Sequence, residues 1–368
     1  MTLRILFALP GLHRIERGAE VAVISIANEL VRGGDEVTLI GSGASRPGTP
    51  YRFLHAGAVS RARFEALPRL PALRDDTSYE EASFVPGLLR QYRPKDYDVT
   101  VACSFPFVHW ALRRPSLGPR PAHVFVTQNG DWPVRARNSE YRFFACDGLV
   151  CINPDYYDAG RALWPAALIP NGVALDRFSP GEPHRARFGL PAKGPVVLMV
   201  SALIGSKRVD EGVRAVANLP DVHLVCAGDG PERAEVDNLA GTLMPGRFTR
   251  LIAPAVEMPT LYRSCDAFLH LSLDEPFGNV FIEAMASGLP VVAHDSPRTR
   301  WVVGDDQFLC DSRDRAALSG SIARALAAAG DNDAAASRRA HAARYSWSSV
   351  AARYRDFFHE VVERRRSR

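Results

Sequence analysis

Apolar residues fall along this chain in short runs, and the stretches between them repeat with a helical period. The first run is LRILFAL at residues 3–9. A loop follows, then a stretch from Ala19 to Arg32 with apolar side chains every three to four positions, then EVTLIGSG from Glu36. Buried strand, amphipathic helix, buried strand is the signature of a parallel unit, because parallel strands need a crossover helix and are covered on both faces. Residues 98–104, 123–129 and 148–153 predict further strands, while residues 45–95, rich in Arg and Pro, predict one or two surface helices. A turn-rich segment, residues 171–194, ends this half. The alternation then restarts. Strands are predicted at PVVLMVSAL (195–203), VHLVCAGDG (222–230), FTRLIAP (248–254), AFLHLS (267–272) and PVVAHD (290–295), with helices near 209–218, 231–239 and 258–264. Residues 346–365 predict a last helix. Two such sets imply an α/β protein with two doubly wound, Rossmann-like domains facing across a cleft.

Ligands of open parallel sheets bind beyond the carboxyl ends of the strands. Chemistry-bearing residues stand at those positions. Gly18 follows the first strand, Lys207 follows the first strand of the second half, Gly228 and Gly230 follow its second, and Glu275 follows the strand ending near Ser272.

Composition narrows the classes. A chain of 368 residues with 46% hydrophobic content supports two cores. The net charge of +4 is too modest for a nucleic-acid protein. Lysine occurs only at 95, 193 and 207, against a large excess of arginine, which makes Lys207 stand out within its motif. The six cysteines have no CxxC spacing and no neighbouring histidine cluster, so they read as small buried hydrophobes in a reducing, cytoplasmic setting. The apolar start is brief and leads into HRIERG without a small-residue cleavage site, so it reads as a strand and not as a signal peptide. No run has transmembrane length. The terminal RRRSR allows at most a peripheral contact with an anionic membrane.

Residues 275–288, EPFGNVFIEAMASG, carry the most chemistry. Pro276 suits a first helical turn, Val280, Phe281 and Met285 give one face to bury, and Gly288 suits a stop. A helix start offers free N–H groups and the positive end of the dipole to an anionic or polyhydroxyl ligand. Glu275 then precedes the helix and Glu283 lies more than a turn inside. Two carboxylates placed so can accept hydrogen bonds from two separate diols. The same spacing also suits an ordinary amphipathic helix with solvated acids.

The stretch resembles the acid-x7-acid motif of retaining GT-B glycosyltransferases of family 4. The resemblance runs nearly end to end, through ALPGLHRIERGAE, LIPNGVALDRFSP (168–180), SALIGSKRVD (201–210), CAGDGPE (226–232) and residues 258–293. It implies an N-terminal acceptor-side domain over 1–172, a nucleotide-sugar-binding domain over 173–345, and a helix over 346–368 that packs back on the first domain. It implies that Glu283 binds the ribose hydroxyls. Glu275 would contact the transferred sugar beside the backbone amides of Phe277, Gly278 and Asn279. Lys207 and Arg208 would face the diphosphate, with Gly18 and Gly228 close to it. The family typically carries an arginine five residues before this lysine, where the chain has Ala202. Family members often place a catalytic histidine just after the fourth strand. Here Ser104 takes that place and His109 lies about a turn further on, which makes His109 the catalytic candidate of the first domain.

The polar, aromatic loop TQNGDWP (127–133) offers Gln128, Asn129, Asp131 and Trp132 as acceptor-side residues, since aromatics stack on sugars while polar groups read hydroxyls. No Asp-x-Asp motif stands at a strand end to hold a metal–diphosphate complex, and Lys207 with helix amides can supply that charge. The resemblance thus implies a metal-independent hexosyl- or N-acetylhexosaminyl-type glycosyltransferase with no cofactor. Its donor would be a nucleotide diphosphate sugar and its acceptor a glycan, lipid or small natural product. A sugar-nucleotide epimerase of the same fold and a non-catalytic sugar-binding protein remain as alternatives. A dinucleotide oxidoreductase fits less well, because GSGASRPG matches GxGxxG poorly and follows the second strand.

Overall fold

The computed structural model describes residues 1–114, 119–128, 139–304 and 307–367. These divide into two compact units: Met1–Asn171 with Trp347–Arg368, and Gly172–Ser346.

The first unit is built on a parallel sheet of β1 (Arg4–Ala8), β2 (Glu36–Gly41), β3 (Arg52–His55), β4 (Val99–Ala102), β5 (Ala122–Val126), β6 (Gly148–Cys151) and β7 (Ala166–Leu168), in the order β3-β2-β1-β4-β5-β6-β7. Its helices are α1 (Gly18–Arg32), α2 (Asp76–Gln91), α3 (Phe107–Leu112) and α4 (Pro154–Gly160). The order reverses beside β1, between β1 and β4, which leaves a crevice at the strand ends there.

The second unit holds the parallel sheet β8 (Val196–Val200), β9 (His223–Ala227), β10 (Phe248–Leu251), β11 (Ala267–His270), β12 (Val291–His294) and β13 (Phe308–Cys310), ordered β10-β9-β8-β11-β12-β13. Its helices are α5 (Val209–Ala217), α6 (Arg233–Leu243), α7 (Met258–Arg263), α8 (Asn279–Ala286), α9 (Pro297–Val303), α10 (Arg315–Ala327) and α11 (Asn332–Ala343). Here the reversal falls between β8 and β11, so the segments after those two strands flank one crevice.

Strand burial explains why the strands read as continuous apolar runs. Every residue of β4, β5, β6, β9 and β11 is buried, as expected for strands covered by helices on both faces. β3 and β7 escaped the pattern: they are short edge strands, and no residue in either is fully buried. The second core joins Met199, Val213, Val216, Leu224, Val236, Leu269 and Ile322, from strands and from helices on one face. The last helix, α12 (Trp347–Arg366), belongs to the first unit. Phe358, fully buried, lies 6.4 Å from Phe7 of β1 by ring centroids, and Arg365 pairs with Asp147 at 2.7 Å. Among the described residues no helix is long and apolar enough to cross a membrane.

Candidate active site

The predicted helix after Glu275 begins later than its proline suggested. Pro276 lies outside α8, which starts at Asn279. Gly278 turns the chain with φ +77°, a conformation that a Cβ would strain and that also brings the backbone against the Phe281 ring. Phe281 N–H donates to Gly278 O at 2.9 Å, which closes the first turn. The Phe277 side chain is buried against Trp301 and Tyr345, so the residue anchors the loop.

Glu275 is fixed from two sides. Lys207 Nζ donates to its Oε2 at 2.5 Å and His270 Nε2 contacts the same oxygen at 2.9 Å. Burial pushes the Glu275 carboxyl up, but the His270 hydrogen bond and the charges of His270 and Lys207 outweigh it and hold it at about 2. Arg298 donates to Glu275 O at 3.2 Å and to Asp274, which holds the loop itself. The strand-end lysine and the strand-end acid, far apart in sequence, are therefore one unit, assembled because β8 and β11 are neighbours.

Glu283 has the opposite electrostatics. It is half-buried in α8, and Tyr262 of α7 donates its hydroxyl to Oε2 at 3.0 Å. Burial pushes the carboxyl up to about 7, and the Tyr262 hydrogen bond and the Arg177 charge only partly offset this. One carboxylate of the pair is thus held ionised by His270 and Lys207, while burial favours the neutral form of the other.

Two donor-side expectations change in detail. Arg208 neither faces solvent nor points free into the crevice. It takes φ +52°, and its guanidinium donates to Ser312 Oγ at 2.8 Å, Ser312 O at 3.0 Å and Leu271 O at 3.4 Å. It ties the segment after β8 to those after β11 and β13. Losing charge-assisted bonds of this kind costs about 1.5–3 kcal/mol each. Arg208→Ala is therefore expected to lower unfolding free energy by at least that much in a denaturant titration, and an unchanged midpoint would contradict the role. The Gly228 N–H is taken by Leu251 O at 3.0 Å, and a Cβ there would lie 1.8 Å from Ser201 O. Gly228 is needed for the close approach of the β8 and β9 ends, and its amide is not free for a phosphate. Ala202 is exposed after β8 and brings no second cation.

In the first unit, His109 is corrected as a catalytic candidate. It is 0% exposed, its ring stacks on Phe144 at 4.8 Å, and Nδ1 meets His123 Nε2 at 3.1 Å. Burial pushes it down to about 3, so it stays neutral, with no surface to offer a substrate. The aromatic neighbours Phe105, Phe125 and Phe144 make it a core histidine. Ser104 is different: it lines a cavity of about 480 Å³ beside β1 and β4, together with Gly18, the first residue of α1, and Gln128. Gln128 Nε2 also donates to Asn171 Oδ1. Asn129, Asp131 and Trp132 lie outside the described residues.

His270 and Tyr262 were not anticipated. A signal for His270 existed, a histidine at the end of a buried strand five residues before Glu275. Tyr262 had none, since a tyrosine in a short helix reads as core until its hydroxyl finds a partner. Among the described residues no group of three or more His, Cys, Asp and Glu is placed to hold a metal ion.

Comparison with known proteins agrees with this geometry. Residues 181–343 match the family described as glycosyl transferases group 1, and residues 17–177 match glycosyltransferase family 4. The D-inositol 3-phosphate glycosyltransferase of Thermobispora bispora is 30% identical over 94% of this chain and 90% of its own length. The lipopolysaccharide core biosynthesis glycosyltransferase LpsE of Rhizobium meliloti is 29% identical over 84% of this chain and 86% of its own. Among solved structures, sucrose-phosphate synthase from Thermosynechococcus elongatus superposes with a TM-score of 0.78 at 20% identity, covering 98% of this chain and 99% of that one. HepE of Anabaena, in complex with UDP-glucose, superposes with a TM-score of 0.72 at 19% identity, covering 97% of this chain and 100% of that one. Two parallel-sheet units, the strand-end Lys207–Glu275 pair and these matches lead to one conclusion: the chain belongs to the group 1, family 4 glycosyltransferases and has the GT-B fold.

Proposed function

We propose that this glycosyltransferase moves a hexosyl or N-acetylhexosaminyl group from a nucleotide diphosphate sugar to an acceptor hydroxyl, with retention of configuration and without metal or cofactor. The observation that carries the reading is the Lys207–Glu275 pair at 2.5 Å, with Glu283 eight residues downstream on α8. Glu283 accepts hydrogen bonds from the ribose diol, which favour the ionised form that burial disfavours. Glu275, already ionised, accepts from a hydroxyl of the transferred sugar. Lys207, held beside Glu275, neutralises charge that develops on the diphosphate as the glycosidic bond breaks, and the first amides of α8 add the positive end of a helix dipole. A fixed cation and fixed dipoles do the electrostatic work a metal does elsewhere. His270 keeps Glu275 in place. The complex of HepE with UDP-glucose supports the donor class. The reading includes a reducing, cytoplasmic setting, supported by six free thiols, of which those of Cys103, Cys151, Cys226 and Cys265 are buried.

A thermal-shift panel tests the donor. A ligand at about 100 times its dissociation constant adds about 2.7 kcal/mol of stability. A uridine, guanosine or adenosine diphosphate sugar is expected to raise Tm, and NADPH is not. Product analysis tests the chemistry: the anomeric proton coupling should match the donor's configuration, and turnover should survive EDTA. An inverted anomer, or loss with EDTA and rescue with magnesium, would overturn the corresponding part.

A further inference from the structure

A second concave surface lies at the other end of the first sheet, where its parallel strands begin. The start of β1, the segments before β4, β5 and β6, and the end of α12 enclose a cavity of about 650 Å³. Open parallel sheets hold their substrates beyond the strand ends and not at the strand starts, so the reaction does not account for this cavity. Arg4, Lys95, Arg120, Arg365 and Arg366 line it, with two acids, Asp98 and Asp147. Each acid has a structural task. Asp98 Oδ2 accepts the Arg4 N–H at 3.0 Å at the head of β1, and Asp147 Oδ2 accepts the His123 N–H at 2.8 Å in β5. Each acid is then shared by two arginines. Asp98 meets Arg4 at 3.1 Å and Arg366 at 3.7 Å, while Asp147 meets Arg365 at 2.7 Å and Arg120 at 3.9 Å. Lys95, which is exposed, brings a further positive charge.

A helix C-terminus favours basic side chains, which accounts for part of the charge at Arg365 and Arg366. Arg4, Lys95 and Arg120 come from a strand start and loops and have no such reason. One arginine for each acid would have capped the sheet. The second in each pair adds like charge, and a neighbour registers it: burial and the charges of Arg120 and Arg365 push the Arg113 guanidinium below its ordinary range, with Asp147 only partly offsetting them. Asp96 and Glu36 act on Arg4 from outside the lining, and with Arg113 also counted the cations stay in excess. The terminal arginines are no loose end. Arg365 and Arg366 lie within α12, and Arg365 Nε donates to Arg120 O at 3.0 Å. A concave surface lined mostly by one sign of charge focuses its field on a ligand of the other sign. Four of the five cations are guanidiniums, whose planar forks match phosphoryl oxygens two at a time. We propose that this cavity, outside the strand-end crevices, binds a phosphate monoester or diphosphate group, carried by a soluble molecule or by a phospholipid headgroup.

Inorganic pyrophosphate is titrated by calorimetry into the full chain and its variants. Arg365→Gln and Arg120→Gln remove lining charges from two different segments. Arg364→Gln removes the same charge from the adjacent residue, which pairs with Glu360 and does not line the cavity. Any pyrophosphate held in the donor crevice is common to all of these proteins, so the differences report the cavity. The wild type is expected to show a sub-millimolar site that weakens at least about ten-fold in Arg365→Gln and in Arg120→Gln, and less than about two-fold in Arg364→Gln. Arg365→Lys, which keeps the charge without the fork, should regain part of the affinity. Thermal transitions near that of the wild type show that the variants are folded. Vesicles of phosphatidylcholine with and without phosphatidic acid identify the carrier. Cosedimentation that requires phosphatidic acid, is lost in Arg365→Gln and is kept in Arg364→Gln supports the site and assigns it to a phospholipid. Pyrophosphate binding with the same variant pattern and no cosedimentation supports the site and assigns it to a soluble ligand. No binding of either probe, binding that the lining variants leave unchanged, or a loss as large in Arg364→Gln as in Arg365→Gln would overturn the proposal.

Discussion

Lys207→Ala is expected to lower kcat by about 10²–10³, a loss of about 2.7–4 kcal/mol in the transition state, as for removal of a preorganised donor to a developing anion. Ala202 brings no second cation, and the Arg208 guanidinium is engaged by Ser312 and Leu271 O. Much of the charge on the leaving diphosphate therefore falls to Lys207. The substitution also strips Glu275 of its 2.5 Å partner and leaves it to His270. Its carboxyl, now held at about 2 against an ordinary 4.5, should rise in the variant. A depressed carboxyl adds stability that is present above the unfolded value and is lost as pH falls through the folded one. The wild type should thus hold its Glu275 contribution down to about pH 4.5 and lose it toward pH 2, and Lys207→Ala should have a smaller such contribution. Steady-state kinetics at saturating donor, with acid unfolding followed by circular dichroism, check both arms. A kcat within five-fold of wild type would remove Lys207 from the leaving-group chemistry.

Glu283→Ala is expected to weaken binding of the bare nucleoside diphosphate ten-fold or more, since hydrogen bonds to a charged group contribute about 1.5–3 kcal/mol each. Glu275→Ala should instead lower turnover and leave that affinity nearly intact. Glu283 also predicts a pH dependence. Its carboxyl stands at about 7 in the empty protein, pushed there by burial. A ribose diol donates two hydrogen bonds and favours the ionised form, so binding releases a proton. Affinity should rise with pH up to about 7 and level off above it, with a slope of at most about ten-fold per unit on the acid side. Stability of the empty protein runs the other way. A raised carboxyl gives a contribution fully present below its ordinary 4.5 and lost as pH rises through about 7. Calorimetry in buffers of different ionisation enthalpy counts the released proton directly. Equal loss of affinity in the two variants, or a flat pH profile in the wild type, would reject this division between the acids.

The chain's alternation of apolar runs and amphipathic stretches determined the fold class, because strands covered on both faces must be apolar throughout and parallel strands must be separated by helices. It placed β1, β2, β4, β5 and β6 and β8 to β12 closely. The edge strands β3, β7 and β13 and the helices α10 and α11 stayed hidden, since their side chains are only partly covered or their apolar residues are mostly alanine. The motif residues were legible as strand-end features. Their partnerships were not. The pairing of Lys207 with Glu275, and of both with His270, depends on β8 lying beside β11, a neighbour relation that no local pattern encodes. His109 shows the converse. A polar residue in a motif looks the same in sequence whether it faces a crevice or an aromatic core, and only packing against Phe105, Phe125 and Phe144 decided that it is core. Ser104 was read as standing where the family often has a histidine, and Glu20 was not singled out. Tertiary structure alone buried both in the lining of one cavity, with an oxygen on each left unpartnered among the described residues.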